Sequence, residues 1–210
     1  RQRLDRPYIR GRDGKLVPAS WDDALGAVAA KLKKAKPDAM AAITGDQCDA
    51  ESMFALKRLF DKLGSGNIDC RQDGAAIGGP RAGYLFNSTI AGIDAADALL
   101  IIGSNPRIEA AVLNARIRKR FLAGKFPIGV VGEAADLRYD YEHLGTGPAD
   151  LKKVLSAKSG FGKILKAANR PMIIVGQGAL AREDGAAVHA LTREIADTYG
   201  MIDKSSGWNG

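Results

Sequence analysis

The chain has 210 residues, with 31 basic against 24 acidic side chains and a formal charge of +7. Apolar residues make up 46% and charged residues 26%, which excludes a disordered polymer and predicts a globular body. Aromatics are only 6% whereas glycines number 25, a balance that suits tightly turned α/β folds and argues against an aromatic-stacking nucleic-acid module. No apolar run approaches the roughly 20 residues that span a bilayer, and no charged-then-apolar leader opens the chain. The two cysteines, Cys48 and Cys70, lie too far apart for a disulfide scaffold; they fit a reducing compartment and read as packing residues. A start at Arg1 rather than Met, and an end on Trp208-Asn209-Gly210, predict a piece of something longer.

Ser20-Trp21-Asp22-Asp23 reads as a capping box with Asp in place of Glu. Trp21, Leu25, Val28 and Leu32 recur at helical spacing and predict an amphipathic helix over 21–34, ended by Pro37. Met40-Ala41-Ala42-Ile43-Thr44 is a short strand stopped by Gly45. Asp49 caps a second helix with Met53, Leu56, Phe60 and Leu63 on one face, closed by Gly64. Residues 67–70 form a brief extended stretch, and 74–83 a glycine-rich irregular loop.

The run 98–102 is continuously apolar, as a central parallel strand should be. It breaks into Gly103-Ser104-Asn105-Pro106, ahead of a helix over 109–122. A second strand is predicted over 128–131, helical pieces over 151–155 and 161–168, and a last strand over 172–175. Gly176-Gln177-Gly178 leads into a long helix through Tyr199. Strand and helix alternate, the signature of βαβ units around a parallel sheet. The fold class is therefore α/β. A module boundary is expected near residue 158, giving one module over 1–158 and the start of a second, cut off at Gly210, over 159–210.

The basic clusters, 31–36 and Arg116-Ile117-Arg118-Lys119-Arg120, fall in helices with apolar opposite faces. They read as solvated helix faces rather than a nucleic-acid surface, with docking to an acidic protein left open. Gly103-Ser104-Asn105-Pro106-Arg107 puts backbone amides and Asn105 at the carboxyl edge of the sheet, where open α/β sheets meet ligands and a helix N-terminus favours anions. The competing reading is a plain βα turn. Gly176-Gln177-Gly178-Ala179-Leu180-Ala181 fits a Gly-x-Gly-x-x-Ala pattern, although Glu183, Asp184 and Gly185 should delay the helix that a phosphate cradle needs. His189 reads as an ordinary helical residue, and His143 in a polar-aromatic stretch is a poor lone catalyst. No cluster has metal-ligand spacing, and no P-loop or nucleophile elbow occurs. No catalytic and no metal-binding residue is assigned.

Taken together, other segments are more specific. Arg3-Leu4, Pro7, Arg10, Gly14 and Ser20-Trp21-Asp22-Asp23-Ala24-Leu25 resemble the start of a molybdopterin-type oxidoreductase domain, and Asn67-Ile68-Asp69 and 96–106 resemble its later landmarks. Thr89-Ile90-Ala91-Gly92-Ile93, Arg107-Ile108-Glu109-Ala110, Leu113-Asn114-Ala115-Arg116-Ile117-Arg118-Lys119, Asp136-Leu137, Tyr139, Tyr141, His143-Leu144-Gly145 and Asp184-Gly185-Ala186-Ala187 narrow the match. Over essentially the whole chain the sequence resembles the large iron–sulfur subunits of NADH-quinone oxidoreductase, respiratory complex I.

The resemblance implies αβα layers of the formate dehydrogenase and DMSO reductase type. It implies membership of a respiratory electron-transport assembly that passes electrons from NADH to quinone and pumps protons. Iron–sulfur clusters are expected upstream of Arg1 and no cofactor within this segment. The expected partners are other peripheral-arm subunits, with no nucleic acid and no direct membrane insertion. The location implied is peripheral, on the cytoplasmic face of a bacterial inner membrane or the mitochondrial matrix side.

Active members of the superfamily place a Cys, selenocysteine or Ser metal ligand a few residues after the Asn-x-Asp landmark. Here Gly74-Ala75-Ala76 stands there, and none of the three can coordinate molybdenum. Cys70 comes too early. Where active members carry an Asp-Pro-Arg segment for the pterin nucleotide, this chain has Gly132-Glu133-Ala134. The expectation is a degenerate, noncatalytic scaffold whose vestigial pocket is marked by Gly103, Ser104, Asn105 and Arg107. The alternative is a functional molybdopterin- or tungstopterin-dependent oxidoreductase domain. A third reading is a nucleotide-binding module using Gly176 and Gly178.

Overall fold

The computed structural model describes all residues except 1–2, 46, 71–73, 76, 80–82, 157–159, 204 and 206. The chain divides into two compact units, Arg1–Gln72 and Asp73–Gly210.

The first unit opens with an antiparallel hairpin of β1 (Tyr8–Arg10) and β2 (Leu16–Pro18). Helix α1 (Trp21–Leu32) starts where expected because the Ser20 hydroxyl accepts from the Asp23 amide, 3.1 Å away. Its amphipathic pattern is real, yet α1 buries none of its residues, and Trp21 and Leu25 are 67% and 59% exposed. Strand β3 (Ala42–Ile43) pairs in parallel with β4 (Ile68–Asp69), and α2 (Ala50–Leu63) links them. The Asp49 carboxylate accepts from the Ser52 amide at 2.7 Å, and Gly64 ends α2 in the left-handed region at φ 72°. Cys48 and Cys70, expected to pack inside, are both exposed thiols.

In the second unit a short helix α3 (Thr89–Gly92) leads into β5 (Ala98–Ile102), all five of whose residues are buried. Then follow α4 (Pro106–Glu109), α5 (Ala111–Leu122), β6 (Ile128–Val131), β7 (Glu142–Gly145), α6 (Pro148–Val154), α7 (Gly160–Ala167) and β8 (Pro171–Val175). Helices α8 (Gln177–Leu180) and α9 (Gly185–Thr198) and a hairpin of β9 (Ile202–Asp203) and β10 (Trp208–Asn209) complete the unit. The sheet is four-stranded, in the order β7-β6-β5-β8, and parallel throughout.

Alternation along β5 divides the core. Ala98, Leu100 and Ile102 pack with Leu151, Val154, Phe161, Leu165, Val188 and Ile195 from α6, α7 and α9. Leu99 and Ile101 face the other way, onto Ile117 of α5, Ile93 and Leu137. This is the αβα layering that the resemblance implied. The module boundary expected near residue 158 lies outside the described residues; the sheet runs across it, since β8 after it pairs with β5 before it. The helix expected over 109–122 is broken at Ala110 (φ −149°, ψ 66°), which ends α4 and precedes α5. Among the described residues no helix is long and apolar enough to cross a membrane.

Candidate functional site

In the order β7-β6-β5-β8 the chain steps from β5 outward to β6 and β7, then returns to the other side of β5 for β8. The switch point therefore lies at the carboxyl ends of β5 and β8, the crevice where an open α/β sheet meets its ligand. A glycine follows each strand there: Gly103 after β5, Gly132 after β6 and Gly176 after β8. These glycines bring the backbones together rather than leaving room between them. A Cβ at Gly176 would collide with Gly103 O and stand 2.8 Å from Ser104 Cβ. Ala179 of α8 fills the opposite side, where a Cβ on Gly103 would be 2.5 Å from Ala179 Cβ. Gly103 adopts φ +56°, so both its conformation and its surroundings admit glycine alone.

The start of α4 offers the amides that the sequence pattern singles out, but an internal acid already holds that of Asn105. One helical turn on from Asn105, Glu109 accepts from Asn105 N at 2.6 Å and from Ser104 Oγ at 3.2 Å. A carboxylate at a helix N-terminus satisfies the orphan donors and complements the dipole, the task an anionic ligand would otherwise perform. Asn105 Oδ1 is buried with no hydrogen-bond partner among the described residues. Arg107 turns away from the loop and donates to Asp136 O at 2.9 Å and Asp136 Oδ2 at 2.8 Å. The Arg138 amide and the guanidinium groups of Arg138 and Arg107 hold the Asp136 carboxyl below its usual pKa range.

Residues 132–141, which open with the Gly132-Glu133-Ala134 expected in place of an Asp-Pro-Arg segment, are tied to α5. Asn114 Nδ2 donates to Leu137 O at 3.0 Å, Tyr139 Oη donates to Asn114 Oδ1 at 2.8 Å, and Arg118 Nε reaches Arg138 O at 3.1 Å. Burial pushes the Tyr139 phenol well above its usual value. Tyr141 Oη closes the loop by donating to Ala135 O and accepting from Ala135 N. The landmarks over 113–119 and 136–141 are thus one interlocked unit. The basic cluster on α5 is correspondingly not a plain solvated face. Arg116 pairs with Asp94, and Arg120 donates to Ala96 O while its guanidinium lies 4.7 Å over the Phe126 ring.

His143 sits on β7, its Nε2 2.8 Å from Gly132 O. His189 does more than occupy a helix: its Nε2 lies 2.8 Å from Gly83 O, fastening the segment before α3 to α9. No sequence signal marked that tie, because Gly83 and His189 meet only through the fold. Of the residues beside the missing ligand position, Gly74 is at φ +68° and Ala75 is buried, whereas Ala76 lies outside the described residues. Among the described residues no group of three or more His, Cys, Asp or Glu side chains could hold a metal. A single turn, α8, follows Gly176 at once, whereas the long helix α9 begins only at Gly185, after the expected delay; contact with Gly103 leaves no open turn at Gly176 for a pyrophosphate.

Residues 3–210 match the family model for molybdopterin oxidoreductase. The chain belongs to the molybdopterin oxidoreductase family. It is 44% identical over 211 residues to the NADH dehydrogenase (ubiquinone) iron-sulfur protein 1 of Solanum tuberosum mitochondria, covering 100% of this chain and 28% of the relative. It is likewise 44% identical over 210 residues to an NADH-quinone oxidoreductase subunit of Rickettsia felis, and 43% identical to its counterpart in Rickettsia bellii, covering 99% of this chain and 31% of each. The chain thus spans less than a third of these relatives. At the crevice Glu109 holds the Asn105 amide, Gly103 is in close contact with Gly176 and Ala179, and an exposed Glu133 follows Gly132.

Proposed function

We propose that this chain is part of the large iron–sulfur subunit of a respiratory NADH:quinone oxidoreductase, and that its second unit is a noncatalytic scaffold. The carrying observation is the closed switch point. Glu109 accepts the hydrogen bonds an anionic ligand would need, and Gly103, Gly176 and Ala179 occupy one another's space. Similarity over the whole chain to proteins named as subunits of NADH-quinone oxidoreductase supports the wider assignment. In this reading NADH is oxidised by another subunit, and electrons pass through iron–sulfur clusters held upstream of Arg1. The segment supplies a rigid α/β body against neighbouring peripheral-arm subunits, on the bacterial cytoplasmic or mitochondrial matrix side.

One observation favours the alternative of a working molybdopterin or tungstopterin domain. Asn105 Oδ1 is a buried acceptor at the crevice without a donor among the described residues, the kind of group a bound ligand satisfies. Metal analysis of the full-length protein purified from its own host separates the two. Abundant iron with neither molybdenum nor tungsten is expected; stoichiometric molybdenum or tungsten would overturn the scaffold reading and make the 103–107 loop an active-site wall.

A further inference from the structure

Cys48 and Cys70 are far apart in the sequence, and the β3-α2-β4 crossover removes that separation. Strands β3 and β4 run side by side in parallel, with Ala42 opposite Ile68 and Ile43 opposite Asp69. Parallel neighbours end at the same edge of a sheet, so the residues that follow them emerge together. Cys48 belongs to the turn that follows β3, and Cys70 is the first residue after β4.

Hydrogen bonds define the approach more closely. Thr44 N donates to Asp69 O at 3.1 Å, which carries the ladder one step further and puts Cys70 level with Thr44. Neighbouring strands are about 4.8 Å apart, so Cys70 stands one strand spacing from Thr44. From Thr44 the chain turns at once: Cys48 N donates to Gly45 O at 3.2 Å, closing a turn over 45–48 that keeps Cys48 near the strand end. Strand alternation sets the side. Ala42 and Ile68 are half-buried whereas Ile43 and Asp69 are exposed, so Cys70, two positions after Ile68, takes the half-buried face. The crossover helix covers that face, and the 45–48 turn climbs to it to enter α2 at Asp49.

Both thiols are open to solvent, and Gly45, Gln47 and Asp49 around Cys48 are exposed as well, so the turn is free to adjust. A metal site would need further ligands, and among the described residues no group of three His, Cys, Asp or Glu is gathered. Two thiols at one sheet edge have a different chemistry open to them.

We propose that Cys48 and Cys70 are a dithiol–disulfide pair, bridged when a low-molecular-weight disulfide such as oxidised glutathione accumulates. The thiolate of one cysteine attacks the small disulfide, forming a mixed disulfide and expelling one small thiol. The thiolate of the other cysteine then attacks the protein sulfur of that mixed disulfide and expels the second. Two cysteine thiols are oxidised, one small disulfide is reduced to two thiols, and both protons end on those thiols. In a reducing compartment the pair rests as two free thiols. The bridge ties the end of β3 to the end of β4 and closes the crossover at its open edge.

Peptide mapping of the full-length protein after incubation with oxidised glutathione tests the pairing. Trypsin separates the two cysteines into peptides 35–57 and 63–71, so the bridge is read as one linked species that dithiothreitol resolves. That species is expected in the native protein. Separate glutathione adducts or free thiols without it, or a bridge from either residue to a third cysteine, would overturn the proposal. In Cys48→Ser and Cys70→Ser the linked species should vanish, and a glutathione adduct should accumulate on the remaining cysteine in at least one of the two. No adduct in either would refute the mixed-disulfide route. The same titration in urea separates fold from connectivity. An unfolded loop joins its ends at an effective concentration in the millimolar range, and the native crossover should raise it by about ten-fold or more. Equal bridging in native and unfolded protein would show that β3 and β4 do not bring the thiols together.

Discussion

The two glycines of Gly176-Gln177-Gly178 should respond oppositely to alanine. Gly176 has φ −75° and ψ 146°, a conformation any residue adopts, so the objection to a side chain there is purely steric. Its added methyl would meet Gly103 O and C, backbone atoms that cannot swing aside, and Ser104 Cβ at 2.8 Å. Overpacking of this kind costs about 1–3 kcal/mol, and rigid partners put it at the upper end. Gly178 has only Gly103 O nearby, at an ordinary 3.9 Å, and sits in the first turn of α8. Alanine there gains helix propensity worth at most about 1 kcal/mol. At about 2–4 °C per kcal/mol, Gly176→Ala should lower the midpoint of the second unit by roughly 4–12 °C, while Gly178→Ala leaves it unchanged or raises it slightly. Trp208, half-buried with its indole N–H on Pro171 O, reports this unit by fluorescence in a Trp21→Phe background. A phosphate-cradling Gly-x-Gly turn would need both glycines for its ligand and neither for stability. If Gly176→Ala leaves the midpoint within about 1 °C, there is room between β5 and β8, and the closed-crevice argument is wrong.

Three further outcomes follow from the contacts. Tyr139→Phe leaves the buried Asn114 Oδ1 without its donor and should cost about 1–2 kcal/mol at neutral pH, measured by urea denaturation. Because the folded state holds the Tyr139 phenol protonated above its ordinary value of 10.0, the wild type keeps that stability below pH 10 and loses it as pH rises further. The phenylalanine variant should therefore show a shallower alkaline decline, and parallel declines would contradict the buried-phenol assignment. Asp97→Ala strips the acceptors from the Asn169 and Arg170 amides, both at 2.8 Å, and should destabilise the entry to β8 by about 1–2 kcal/mol in the same assay. Glu109→Ala frees the Asn105 amide, so added pyrophosphate should raise the midpoint of that variant and not of the wild type; equal responses would show that Glu109 does not block an anion site.

The parts of this fold legible in the sequence are those that local chemistry decides. Asp49 and Gly64 bracket α2 because a short acceptor and a left-handed residue do the same work wherever a helix begins and ends. The run 98–102 declared itself by being apolar on both sides, and the layers around it supplied the reason. Strand β7 was not legible: Glu142 and His143 are exposed at a sheet edge, where neither apolar alternation nor β-branching is required. The amphipathic stripe of α1 is present as a pattern, although burial did not follow. At the site, spacing located the 103–107 loop but not its occupant, because the one-turn helix α4 that carries Glu109 back over Asn105 lies ahead of the helix expected from 109.

The Glu109 contact also bears on what restoring a cofactor site would take. On the proposed reading, the metal-ligand position at 74–76 and the pterin-contacting position at 132–134 are the visible losses, yet they are not the only obstacles. The stretch after β6 is held to α5 through Asn114 and Arg118, and to α4 through Arg107. Placing Asp-Pro-Arg at 132–134 would leave those ties intact, with the backbone still drawn toward α5. Meanwhile Glu109 would remain on the Asn105 amide and Ala179 on Gly103. On that reading, groups that could meet a ligand meet one another instead. Their mutual satisfaction makes the crevice stable without a ligand, because a site whose donors already have acceptors gains little from an anion. A scaffold derived from an enzyme has that physical requirement: polar groups released by loss of a ligand must find partners within the chain. Asn105 Oδ1 is the one that, among the described residues, has not.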